Sequence, residues 1–293
     1  MPAEGSTIQK MTAVPSGSAF FLEKEAMSFE VDSLVQAIVS LKENRPVVHA
    51  ITNWVTAGDV ANALNAIGAR PVMAVALEEV EEIVARTDAL VLNLGTPDPL
   101  RVKAMLLAGH GANSLARPVV FDPVGAGASG FRADAIRSIL SELQITIIRG
   151  NRAEIGALTE TGGKLRGVDS DLGPSDVLGS ASLLSRKTGA VVLSSGPQEL
   201  VVQDRKGVTV ENGDPMMGRV TGTGCMLSAI AGAFAAVEKD PMIAAVAAAT
   251  FFGLAGERAA QAAKGPGTFK AELLDALFTL TPEDLRSGAK FKG

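Results

Sequence analysis

Tyrosine is absent from the 293 residues, cysteine and tryptophan occur once each, and histidine occurs twice. Without tyrosine, no mechanism can use a phenol as acid or base, and this removes the Tyr-Lys pair of the short-chain dehydrogenases. One cysteine makes no internal disulfide, and His49 and His110 alone make no histidine-rich metal site. That cysteine usage fits a reducing, cytoplasmic setting. Positive charge is not in excess either, because the net charge of −5 leaves no basic surface for a nucleic acid or an anionic membrane. Long clean hydrophobic runs are missing as well. The most apolar stretch, 242–263, is interrupted by Gly253, Gly256, Glu257 and Arg258 and reads as a buried core helix. At the start, "SAFFL" is too short for the apolar region of a signal peptide. Residues 1–28 therefore read as a disordered or poorly ordered extension, and 29–293 as one domain.

What is present is a 47% hydrophobic chain, enough for a large core. Short continuous apolar runs at 47–51, 89–94, 118–122, 145–149 and 190–195 read as strands covered on both faces. Helical patterns fall near 30–43, 56–67, 77–86, 98–113, 131–141 and 174–189. A hairpin is expected over 199–210, joined at Arg205–Gly207, and helices over 224–238, 241–263 and 269–279. Alternating βα units predict an α/β fold with a mostly parallel sheet and helices on both faces. No linker separates domains, and 162–174 reads as a surface loop.

In such a sheet, ligands bind beyond the carboxyl ends of the strands. Four polar or glycine-rich loops follow the apolar runs there: "NLGTPDP", "DPVGAGASG", "RGNRAE" and "SSG". The second contains a literal G-x-G-x-x-G at Gly125, Gly127 and Gly130. A dinucleotide fingerprint would be followed by an acid at the end of the next strand, but Arg149 stands there instead. Pro123 holds Asp122 extended, at the edge where the glycines let a ligand approach. Asn151 and Glu154 have the spacing of a helix capping box. That leaves Arg149 unexplained, and a guanidinium at this edge points to a phosphate. Asp122 and Glu154, from adjacent loops, could hold a hydrated Mg²⁺, which takes one or two carboxylates plus phosphates. No Walker A sequence is present, since "GGKL" lacks its upstream glycine and its Ser/Thr.

"VTGTGC" (220–225) offers a different anion hole. Gly222, Thr223 and Gly224 form a tight turn whose N–H groups face outward at the positive end of the following helix. Cys225, in the first helical turn, is either an inert core thiol or a proton acceptor whose pKa the helix end lowers.

With these motifs in order, the chain resembles the hydroxyethylthiazole kinases of the ribokinase-like group. The resemblance rests on "VHAITN", "ANALNAIGARPVMA", "LVLNLGT", "VVFDPVGAGAS", "IIRGNRAEI", "GVDS" and "VTGTGCMLSAIAGAFAA", spanning His49 to about Ala236. It implies a three-layer ribokinase-like fold and ATP- and Mg²⁺-dependent phosphorylation of the alcohol of 4-methyl-5-(2-hydroxyethyl)thiazole, for thiamine salvage. By motif match, Met73, Gly222 and Asn53 would contact the thiazole, and Arg149, Ser195 and Asn151 would contact ATP. Ser195 stands where the family usually has threonine. Asp122 and Glu154 match the acidic pair near the metal. Cys225 matches the residue aligned with the alcohol, where related sugar and vitamin kinases carry aspartate. The family is typically a homotrimer with its substrate pocket between subunits. Two departures, Val75 for a frequent histidine and Gly58 for a frequent asparagine, lie near the expected thiazole pocket. They keep open a ribokinase-like kinase for another small hydroxyalkyl metabolite, and a non-catalytic nucleotide or small-molecule binder is the third reading.

Overall fold

A computed structural model of the chain describes residues 30–159 and 174–293. The extension expected over 1–28, nearly all of the loop over 162–174 and the "GVDS" motif lie outside the described residues. The elements run α1 (Val31–Asn44), β1 (Val47–Ile51), α2 (Ala57–Ala66), β2 (Arg70–Val72), α3 (Val80–Val84), β3 (Ala89–Asn93), α4 (Pro99–Ser114), β4 (Val119–Asp122), α5 (Gly130–Glu142), β5 (Ile147–Asn151) and α6 (Arg152–Leu158). They continue with α7 (Pro174–Thr188), β6 (Val191–Ser195), β7 (Glu199–Gln203), β8 (Lys206–Val210), a 3₁₀ turn (Pro215–Arg219), α8 (Thr223–Val237), α9 (Pro241–Ala262), α10 (Pro266–Thr279), α11 (Pro282–Gly288) and β9 (Phe291–Lys292).

The strands form one sheet in the order β2-β1-β3-β4-β5-β6-β7-β8-β9. From β2 to β6 every pairing is parallel, and from β6 to β9 every pairing is antiparallel. The chain leaves β1 toward β2 on one side and returns to β3 on the other. The crevice at the carboxyl ends of β1 and β3 is therefore the topological switch point of the sheet.

Two apolar layers explain why the strand runs lack alternation. Val91, Val120, Ile147 and Leu193 point into one buried cluster with α1, α2, α8, α9 and α10. Leu90, Leu92, Phe121, Ile148 and Val192 point into a second with α4, α5 and α7. Both faces of each central strand are dry, so both alternating sets must be hydrophobic. Helices α8 and α9 lie in the first layer, and the most apolar window of α9 is 83% buried. It is a core helix, as its interrupted pattern indicates.

Three expectations need adjusting. The hairpin turns at Asp204–Arg205, because Gln203 pairs with Lys206, and Asp204 takes the left-handed conformation (φ 54°) that such a tight turn requires. The helix expected over 77–86 is only Val80–Val84. Strands β2 and β9 and helix α11 have no counterpart in the pattern reading, since strands of three and two residues carry too little periodicity to detect.

Candidate active site

Side chains two residues apart on a strand share a face. Two steps beyond Val91, Val120, Ile147 and Leu193 come Asn93, Asp122, Arg149 and Ser195, the last or nearly last residues of four adjacent strands. The α8 layer that is apolar below thus becomes polar at the carboxyl edge. The parallel register sets Asn93 beside Asp122 and Asn151 beside Ser195. Helix α8 begins over this polar row.

The start of α8 explains the glycines of "VTGTGC". Gly222 is the residue before the helix, with φ 97°, a left-handed conformation that a β-carbon disfavours. A β-carbon there would also lie 2.8 Å from Thr56 Cγ2. One on Gly224 would lie 2.4 Å from Arg149 Nη1. The first helical bond is Met226 N–H to Gly222 C=O at 2.8 Å, and no side chain caps the end. The N–H groups of residues 223–225 are therefore left without intrahelical partners, as expected of an anion site. The Thr223 hydroxyl turns away to donate to Met217 O at 3.0 Å, so the hole is made of backbone.

Arg149 is 9% exposed. Its Nε and Nη2 donate to Ser195 Oγ at 3.1 and 2.6 Å, and its Nη1 lies 3.8 Å from Asp122 Oδ2. Burial opposes its charge, but the carboxylates of Asp122, Glu199 and Glu154, with Cys225, raise its pKa further. A fixed, fully charged guanidinium beside bare N–H groups suits a phosphate. Arg149, Ser195, Gly196, Glu199, Thr223 and Gly224 form the polar wall of a pocket of about 420 Å³, whose other wall includes Met217, Leu227, Ala249 and Phe252. An apolar slot opening on an anion hole is shaped for a nucleotide.

Asp122 is completely buried. Its Oδ2 accepts from Ser228 Oγ at 2.6 Å and Asn93 Nδ2 at 2.8 Å, whereas Oδ1 is buried without a partner. Burial pushes its pKa up to about 7, assisted by Glu154 and opposed by Arg149, Ser228 and Asn93. Glu154 and Asn151 form the expected capping box of α6. Glu154 Oε2 accepts from Asn151 N–H and Oε1 from Gly125 N–H, both at 2.8 Å. Gly125 therefore spends its N–H on a carboxylate, and Arg132 ties the same loop to the carbonyls of Leu94 and Val124. The G-x-G-x-x-G here is a braced turn.

The donor set fits Mg²⁺ of the kind that carries water and phosphate. Asp122 has an orphaned oxygen, and each Glu154 oxygen accepts one backbone N–H, which leaves lone pairs over. No group of three or more protein ligands exists among the described residues, which excludes an all-protein cage there.

Cys225 lies beside this row, half-buried. Its Sγ receives Asn93 Nδ2 at 3.3 Å and Asn53 Nδ2 at 3.4 Å. The expectation of a lowered thiol pKa is overturned. Burial and the Asp122 carboxylate push it up, against weaker pulls from Thr56, Arg149 and Asn93. Desolvation outweighs the helix end because the sulfur is enclosed beside a carboxylate. Met73, one residue past β2, packs half-buried against the same apolar cluster as Cys225. Of the two departures, Val75 packs against the opposite cluster, and a side chain at Gly58 would meet open space.

Pattern reading passed over three further residues. Asn93 and Ser228 both bond Asp122. Glu199 lines the pocket with a buried, unpartnered Oε2, and burial raises its pKa against the pull of Arg149 and Ser195. The available signal was a polar residue closing an apolar strand, as in "ALVLN", or breaking an apolar helix, as Ser228 does.

A mostly parallel sheet with a bare helix start and a buried guanidinium at its carboxyl edge fits the class of ribokinase-like small-molecule kinases. Pyridoxal kinase from Staphylococcus aureus in complex with ADP has the same fold, with a TM-score of 0.56 over 72% of this chain and 87% of that one, at 17% identity. A solved hydroxyethylthiazole kinase protein from Pyrococcus horikoshii is far more similar, with a TM-score of 0.83, 39% identity, and coverage of 89% of this chain and 98% of that one. The hydroxyethylthiazole kinase of Thermoanaerobacter pseudethanolicus is 49% identical over 85% of this chain and 96% of its own length. That of Desulfotalea psychrophila is 47% identical over 86% and 92%. The model of the hydroxyethylthiazole kinase family matches residues 38–283. This chain belongs to the hydroxyethylthiazole kinase family.

Proposed function

We propose that this enzyme transfers the γ-phosphoryl group of ATP to the primary alcohol of 4-methyl-5-(2-hydroxyethyl)thiazole, giving the thiazole phosphate used in thiamine salvage. The observation that carries the reading is the bare N–H turn 222–225 set directly against the Arg149–Ser195 pair, with Cys225 at its inner end. In this reading the backbone of Gly222, Thr223 and Gly224 receives the phosphate charge, and Arg149, Ser195 and Asn151 orient ATP. Asn53, Met73 and Gly222 face the thiazole. Mg²⁺, held by Asp122 and Glu154 with phosphate oxygens, supplies charge neutralisation when bound. Phosphoryl transfer through a loose transition state depends mainly on positioning and electrostatics. The neutral thiol of Cys225 aligns the alcohol, and only its minor thiolate form takes the proton, late in the step.

We also place the pocket at the interface of a homotrimer. Trp54 and Val55, immediately after Asn53, are 69% and 65% exposed on the single chain, an apolar pair beside the substrate side. A single cysteine fits a cytoplasmic setting, and residues 1–28 an extension outside one kinase domain over 29–293. The reaction is tested by ADP release from ATP and Mg²⁺ with and without the thiazole alcohol, beside a panel of other hydroxyalkyl heterocycles. Thiazole-dependent ADP formation is expected, and release only with another alcohol would move the substrate. Asp122→Asn is expected to weaken the Mg²⁺ dependence, whereas an unchanged Mg²⁺ titration would remove Asp122 from the metal site.

A further inference from the structure

Asn93 closes β3 and touches both halves of the site. Its amide orientation is fixed by the backbone, because Gly95 N–H donates to Oδ1 at 3.0 Å. Asn53 Nδ2 donates to the same oxygen, also at 3.0 Å. The Nδ2 group must then face the other way, and it donates to Asp122 Oδ2 at 2.8 Å and Cys225 Sγ at 3.3 Å. Asn53 is oriented by the same device, since Thr56 N–H donates to its Oδ1 at 3.0 Å. The sulfur therefore faces two amide donors whose orientation is not free to flip. Glycine at position 95 makes this approach possible, because a β-carbon there would lie 2.7 Å from Asn53 Cβ. Ser228 holds the same Asp122 oxygen at 2.6 Å but does not reach the sulfur.

We propose that Asn93 is a positioning residue that ties the carboxylate on the phosphate side, Asp122, to the thiol on the alcohol side, Cys225, with one amide N–H on each. The proposal rests on the kinase reading for its consequence, but its geometry can be tested without nucleotide or metal. Cys225 is the only thiol in the chain, so iodoacetamide alkylation at pH 8 reports this sulfur alone. Asn93→Asp keeps the shape while replacing the donor by an acceptor, and is expected to slow alkylation about 10-fold, the scale of one lost hydrogen bond to a charged group. Ser228→Ala removes only the bond to Asp122 and is expected to leave alkylation within about two-fold.

In turnover, Asn93→Asp is expected to lower kcat by about 10- to 100-fold, as loss of a ligand-orienting contact does, with a much smaller change in KM for ATP. Combined with Cys225→Ala, the losses should be less than multiplicative, because the two residues act as one unit. Unchanged alkylation in Asn93→Asp, or kinetic losses that multiply, would overturn the proposal. If Asn93→Asp fails to fold by circular dichroism, the smaller Asn93→Ser replaces it, with the same slower alkylation expected. A wild-type protein silent toward the thiazole alcohol would instead sink the kinase reading, and the alkylation comparison would still decide the geometry.

Discussion

Cys225 occupies a position where two demands conflict. A helix start favours a thiolate, while burial beside Asp122 favours a thiol, and the second prevails. In the proposed reaction the thiol aligns the alcohol, and only its minor thiolate form can take the proton. Cys225→Ala is expected to lower kcat by about 10-fold, below the usual range for a strong general base, with little change in KM for ATP. Turnover within about two-fold of wild type would refute the assignment. Cys225→Asp supplies a better acceptor at the same place and is expected to retain or raise turnover, whereas an inactive variant would mean that the position serves packing. Gly224 makes the opposite kind of contribution, through what it lacks. Its missing β-carbon is the space that Arg149 fills. Gly224→Ala is expected to displace the guanidinium and lower kcat/KM for ATP by about 10- to 100-fold, read from initial rates across an ATP series.

Helix α8 is the element on which the proposed site depends, since its first turn leaves N–H groups bare and its body packs on the central strands. Gly232 allows the close approach. A β-carbon there would lie 2.5 Å from Val91 Cγ2, with Val48 and Val120 next in line. Those valines are β-branched and buried, so they cannot swing aside as a long side chain would. Gly232→Val should therefore overpack the layer and cost about 1–3 kcal/mol, seen as a lower thermal midpoint. An unchanged midpoint would mean that the helix lifts off the sheet freely, and the first turn would then not be held in place by packing.

At the scale of the whole molecule, the buried carboxylate of Asp122 links stability to pH. Its folded pKa is raised to about 7, above the ordinary value of about 4. Between those limits the folded state binds the proton more tightly than the unfolded chain. Stability contributed by this group is therefore lost as pH rises from about 4 to about 7. Asp122→Asn removes the titration, so the midpoint difference, variant minus wild type, should grow from pH 5 to pH 8 in EDTA without nucleotide. Parallel curves would contradict the linkage. Arg149, Ser228 and Asn93 offset part of the cost of burying this carboxylate.

The sequence alone determined the features that follow from local chemistry. Continuous β-branched runs required a sheet dry on both faces, and both apolar layers are present. Glycines at 222 and 224 required a turn without side chains, and the Asn151–Glu154 spacing required a capping box. The ordered motifs from His49 to Ala236 were enough to identify the family. Tertiary structure decided what depends on distance across the chain. Asn93 became a bridge only because parallel register sets it beside Asp122, 29 residues away, and because α8 lays Cys225, 132 residues away, over both. Glu199 entered the pocket wall only through the antiparallel turn after β6. The direction of the Cys225 shift was likewise invisible locally, since desolvation is a property of everything packed around an atom, while a helix start is visible in six consecutive residues.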